Sequence, residues 1–155
     1  MKNINVIIFL FFGNFLFSQQ INDVDFLSCS ASIKPFPLEK KINGFCKYTF
    51  KIKRRTDSIF IDAKNMVFSN VYLKGKNVNY KVTDKKLWLF YNFEKDVKYT
   101  LSFYYKAFPK KAIYFIDWEN ENNPIVTPQI WTQGQGKDNS NWIPSFDDMN
   151  EKVEF

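Results

Sequence analysis

CKYTFKIK, residues 46–53, and KYTLSFYYK, residues 98–106, are the stretches on which the fold turns. In the first, Cys46, Tyr48, Phe50 and Ile52 alternate with Lys47, Thr49, Lys51 and Lys53. In the second, Tyr99, Leu101, Phe103 and Tyr105 alternate with Lys98, Thr100, Ser102, Tyr104 and Lys106. Successive side chains of an extended backbone point to opposite faces, so this alternation describes strands with one face in a core and one in water. Working outward, residues 24–33, 58–63, 68–73, 78–82 and 86–91 form further strand candidates. Turn chemistry separates them: Lys74-Gly75-Lys76-Asn77, Thr83-Asp84-Lys85 and Phe93-Glu94-Lys95-Asp96, with Pro35-Phe36-Pro37 closing the first strand. No window repeats apolar residues at helical spacing. The expected fold is all-β and antiparallel, a saddle-shaped or sandwich-like sheet domain. Residues 151–155 begin another alternation and halt on Phe155, so the domain is expected to be incomplete at its C-terminus.

The chain has 155 residues, enough for one domain with a real core, and 19% of them are aromatic, which argues against disorder. Lys2 followed by an apolar run that breaks at Gly13-Asn14 and ends at Ser18 has the layout of a secretory signal peptide. The run is too short to span a membrane. The expectation is therefore a signal over residues 1–18 and a domain over 19–155, exported to the periplasm or the exterior, with no membrane association after signal removal. Losing residues 1–18, with Lys2 as their only charge, lowers the formal charge from +6 to +5. That excess does not point to nucleic acid: Arg54 and Arg55 are the only arginines, and the forks that read phosphates and bases favour Arg. Cys29 and Cys46 either pair across a hairpin centred near Pro37-Leu38 or remain two buried thiols. The chain contains no histidine, which removes His-based triads, Cys-His pairs and His-containing zinc sites from consideration. No metal site and no catalytic residue are expected within it.

One stretch departs from the strand pattern: QIWTQGQGKDNSNWIPSFDD, residues 129–148. Gly134 and Gly136 allow either a hairpin or bulge, or close approach of backbone to a ligand, with Gln133 and Gln135 supplying uncharged donors and acceptors. Spacing alone favours the turn. Residues 138–141 lack the glycine and distal Glu of a calcium loop. Asp147 and Asp148, being adjacent, cannot flank one substrate atom as an acid/base pair and read as a turn or cap after Pro144. Trp118, Trp131, Trp142 and Tyr104 either form a sugar-stacking platform or pack structurally.

In combination, Thr132-Gln133-Gly134-Gln135 and Trp142-Ile143-Pro144-Ser145-Phe146-Asp147-Asp148 resemble the N-terminal domain of aminopeptidase N-type zinc metallopeptidases, in the form found in Bacteroidetes. The stretches 57–63, 104–107 and 110–116 are similar to that domain's early strands, so the resemblance covers most of residues 21–155. Met149 stands in place of the usual Pro, Ser145 where Cys is common and Ser140 where Arg often sits. The resemblance implies a β domain packed on a thermolysin-like catalytic domain, and a substrate that is the N-terminal residue of a peptide. It implies that Gln135 helps hold that residue, with Gln133, Gly134 and Gly136 beside it. It also implies zinc as cofactor of the whole enzyme, held by an H-E-x-x-H segment this chain lacks, so the chain by itself is expected to be inactive. The alternative is a free-standing exported β-sandwich module that binds peptide or glycan.

Overall fold

A computed structural model of the chain describes residues 20–120, 125, 127–135 and 137–155. The expected signal peptide over residues 1–18 lies outside them. Ten strands form: β1 (Val24–Phe36), β2 (Lys41–Ile52), β3 (Thr56–Asp62), β4 (Met66–Leu73), β5 (Lys76–Asn77), β6 (Asn79–Val82), β7 (Lys86–Phe93), β8 (Lys98–Ala107), β9 (Ile113–Ile116) and β10 (Gln129–Thr132). They make a five-stranded sheet in the order β1-β2-β8-β4-β5, a three-stranded sheet β3-β7-β6 and a two-stranded ladder of β10 on β9. Every strand ladder is antiparallel, as expected. No α-helix occurs among the described residues; the other regular elements are single 3-10 turns.

The two founding stretches are neighbours. Tyr48 of β2 sits opposite Leu101 of β8, and Cys46 opposite Phe103. Alternation then sends Ile42, Cys46, Tyr48, Phe50 and Ile52, with Tyr99, Leu101, Phe103 and Tyr105, into the core. The smaller sheet answers with Ile59, Ile61, Leu87, Leu89 and Phe93, and these residues form one continuous cluster. Much of the core is aromatic: Phe50 stacks on Tyr99 with ring centroids 5.6 Å apart, and Phe26 packs against Phe50 at 5.1 Å.

Three local readings change on folding. Strand β1 continues through Pro35 to Phe36 instead of breaking there, because it is an edge strand and proline's missing N–H falls where no ladder partner is needed. The separator at 74–77 contracts to Lys74-Gly75, whose φ values of 50° and 76° are those of a two-residue type I′ hairpin. Residues 78–82 are not one strand, since the chain leaves the large sheet at Val78 and joins the small one as β6.

After the last 3-10 turn (Asn139–Asn141) the chain becomes a strap. Ser145 and Asp62 exchange backbone hydrogen bonds of 2.9 Å in both directions, at the edge strand β3. Nine residues later Cys29 N–H donates to the Glu154 carbonyl at 2.7 Å and Glu154 N–H to the Leu27 carbonyl at 3.2 Å, at the edge strand β1. The second attachment falls where β1 carries a register shift between Phe26 and Ser28. The strap thus joins the free edges of both sheets and seats Phe146 4.3 Å from Phe26 and 5.9 Å from Tyr48.

Candidate functional site

The site begins at the β9–β10 ladder. Trp131 lies opposite Tyr114 in register, and the two rings stack at 4.5 Å. Trp118 Nε1–H donates to the Gln129 carbonyl at 2.9 Å. Gln133 N–H bonds the Ala112 carbonyl at 2.9 Å, so the ladder extends one residue past the strand. Beyond that point the backbone is no longer extended as a strand. Gly134 passes so close to the Asn139 side chain that a Cβ would collide with its amide oxygen. The glycine thus leaves room for the Asn139 side chain against the backbone. Gln133 and Gln135 are exposed, and among the described residues neither side chain has a hydrogen-bond partner. Gly136 lies outside the described residues.

The far side of this loop is clamped by charge. Lys64 Nζ donates to the Lys137 carbonyl at 2.8 Å and pairs with Asp147 Oδ2 at 2.7 Å. The other Asp147 oxygen accepts from the Ser140 hydroxyl at 2.7 Å, while Asp147 N–H donates to Asp62 Oδ2 at 2.9 Å. Burial pushes the Asp62 carboxyl above its ordinary value, opposed by the Asp147 N–H and by the Lys86 ammonium. Asp138 pairs with Lys111 at 2.7 Å and holds that ammonium above its usual value. Asp138 is thus engaged by a lysine, and Asp147 is the hub of the clamp, both structural. Asp148 caps its own turn, accepting from Asn150 N–H at 3.0 Å.

The expected residues are thus partly brought together. Gln133, Gly134 and Gln135 form one exposed turn, held between the β9–β10 ladder and the Asp147 clamp. The four aromatics do not share a surface: Trp131 stacks on Tyr114, Trp142 packs against the core, and Tyr104 lies against Phe45 at 5.0 Å on the large sheet. Sequence reasoning missed Asp62, Lys64 and Ser140 as the partners of Asp147. The one available signal was Asp62 itself, a carboxylate ending the apolar alternation of Ile59 and Ile61.

Cys29 and Cys46 are buried free thiols on the core side of adjacent strands. They are diagonal, since Cys29 is opposite Tyr48 and Cys46 opposite Ala31. A hydrogen bond from Cys46 draws the Cys29 thiol below its usual range, and the same contact with burial pushes Cys46 up. The hairpin around Pro37–Glu39 does bring the pair together, offset by two residues.

Chemically the exposed turn offers neutral amide oxygens and N–H groups but no nucleophile and no free carboxylate. The residues do not fit a zinc ion: the chain has no histidine, and no group of three or more potential ligands gathers among the described residues.

Residues 27–155 match the model of the peptidase M1 N-terminal domain. Among solved structures, yeast leukotriene A4 hydrolase in complex with bestatin superposes with a TM-score of 0.73 at 15% identity, over 86% of this chain and 22% of that one. An M1 zinc metallopeptidase of Deinococcus radiodurans bound to a Tyr-Ser-Ala substrate superposes with a TM-score of 0.68 at 14% identity, over 84% of this chain and 31% of that one. This chain therefore spans a third or less of the length of these structures. No curated sequence relative matches it.

Proposed function

We propose, from the premise that this chain belongs to the peptidase M1 N-terminal domain family, that it is the substrate-positioning β domain of an exported zinc aminopeptidase. In this reading the chain forms one wall of an active site, and Gln135 accepts a hydrogen bond from the ammonium of a peptide's first residue. The observation that carries it is the exposed amide of Gln135 on a turn restrained from both sides. A restrained turn spends little entropy when a ligand arrives. An amide oxygen suits an ammonium, with less Coulombic attraction than a carboxylate would supply. Gln133 lines the same turn. Zinc and the residues that activate water belong to a catalytic domain outside this chain, and no step of the chemistry falls on the described residues. Residues 1–18 act as the export signal.

The test is kinetic. In the enzyme that joins this chain to its catalytic domain, Gln135→Ala is expected to raise KM for an aminoacyl-naphthylamide about tenfold, the worth of one hydrogen bond to a charged group. Gln135→Glu is expected to lower KM. If neither variant moves KM, Gln135 does not contact the substrate. The chain by itself is expected to show no chelator-sensitive hydrolysis. Such hydrolysis would overturn the reading of it as a positioning domain.

A further inference from the structure

The lysines look scattered along the sequence, but strand alternation collects several of them on one surface. Every residue that sends its neighbour into the core of the large sheet points the other way, into solvent. Cross-strand register sorts these outward residues into rows. Lys34, Asn43 and Lys106 lie side by side on β1, β2 and β8. Two residues along, the next row holds Phe45 and Tyr104, flanked by Ser32 on β1 and Ser69 on β4. Lys47 occupies the row after that, between Ser30 and Ser102. Strands lie about 4.8 Å apart, so Lys34 and Lys106 are roughly 10 Å apart across the sheet.

The first two of these rows line a recess of about 370 Å³. Phe45 and Tyr104 pack with ring centroids 5.0 Å apart, and Tyr104 is 53% exposed. Asn43 Oδ1 is buried and has no hydrogen-bond partner. Lys34, Lys47 and Lys106 form no ion pair among the described residues, although Lys34 leans over the Phe36 ring at 5.3 Å. Glu39 is occupied by Lys41, Asp96 by Lys51 at 3.0 Å and Asp25 by Lys53 at 3.9 Å, and the carboxylate of Glu154 lies beside Lys47, outside the recess. Two unpaired ammonium groups, those of Lys34 and Lys106, therefore line the recess beside one exposed aromatic face, with Lys47 one row beyond it.

We propose that this recess binds an acidic polysaccharide. A pyranose ring lies on Tyr104, and the carboxylate or sulfate groups of neighbouring sugars pair with Lys34 and Lys106. Charge complementarity requires an anion, and the exposed ring with hydroxyl and amide groups around it suits the apolar face and polar rim of a sugar. A recess flanked by Lys34 and Lys106 admits a chain, whereas a planar bilayer meets only its rim. The surface lies on a different sheet from the Gln133–Gln135 turn, and the proposal stands independently of the function assigned to that turn.

Calorimetric titration of the full chain with an oligogalacturonate at low salt tests it. Saturable binding below about 1 mM is expected, with no binding of a neutral cello-oligosaccharide of equal length. Tyr104→Ala is expected to weaken binding about 5–10-fold and Tyr104→Phe less than twofold, which separates loss of the ring from loss of the fold. Lys34→Gln with Lys106→Gln is expected to weaken it about tenfold, an effect that shrinks in 0.5 M salt. Lys81→Gln with Lys85→Gln, on the smaller sheet and its turn, should change nothing. Equal affinity for poly-glutamate, insensitivity to Tyr104→Ala, preference for phosphatidylglycerol vesicles, or absence of binding would each overturn the proposal.

Discussion

At the scale of single residues, buried polar atoms show where this fold is most sensitive. The Tyr48 hydroxyl, inside the core, donates to the Pro144 carbonyl at 2.5 Å and ties the strap to the large sheet. Tyr48→Phe removes the donor and leaves a buried carbonyl unpaired. It is expected to lower unfolding free energy by about 1–3 kcal/mol, read from urea denaturation. Glu151 is the opposite case. Its Oε1 accepts from Phe26 N–H at 3.2 Å, yet burial dominates and pushes the carboxyl up to about 7. A carboxyl raised on folding supports the fold fully below its unfolded value of 4.5, and that contribution is lost as pH rises through about 7. Glu151→Gln keeps an oxygen for Phe26 N–H and abolishes the ionisation. The variant is expected to be more stable than wild type at pH 8 by about 1–2 kcal/mol, allowing for screening of a half-exposed group, and to be similar at pH 4.5. Denaturation midpoints at the two pH values check the sign. None of this was legible in the sequence, where Glu151 is one of 16 acidic residues, because burial raises it and burial is set by tertiary packing.

At the scale of elements, alternation is obeyed where a strand has both a core and a solvent face, and it yields where the chain crosses itself. Gly44 is on the core face of β2, and the Tyr105 ring of β8 lies across it where a Cβ would stand. Tyr105 is 2% exposed, so a Cβ there must displace a packed ring. Gly44→Ala is therefore expected to destabilise by about 1–3 kcal/mol, as overpacking does, and the same Tyr105 geometry makes Gly44→Ser worse. Thermal melts of the two variants rank the effect. The clamp around Asp147 is similar in kind, since its partners come from two separate segments, Asp62 and Lys64 in one and Ser140 in the other. Asp147→Asn keeps the backbone bond to Asp62 but weakens the pair with Lys64. The expected result is loosening of residues 133–138, seen as faster amide hydrogen exchange there with little change in the large sheet. The dyad of Asp147 and Asp148 could be judged non-catalytic from adjacency alone. Its structural work could not be read, because the residues it grips are remote in the chain.

At the scale of the whole molecule, the strap makes two sheets into one cooperative unit. It joins the edge of β3 at Ser145 to the edge of β1 at Glu154 and buries Phe146 between them. Phe146→Ala is expected to cost about 3 kcal/mol and to lower stability of both sheets together, with a single urea transition by fluorescence and by circular dichroism. Loss of one sheet before the other would show that the strap does not couple them. The all-β antiparallel class, the alternating faces of β2 and β8, and the absence of histidine chemistry were determined by the sequence alone. Those properties follow from short-range rules, in which period two selects faces, glycine selects positive φ, and a missing residue type removes a chemistry. Only the tertiary structure decided that the strap bridges two edges, that Gln133–Gln135 is restrained from both sides, and that dispersed lysines gather around Tyr104. Each of these depends on register between strands tens of residues apart, which one-dimensional periodicity leaves free and core packing selects.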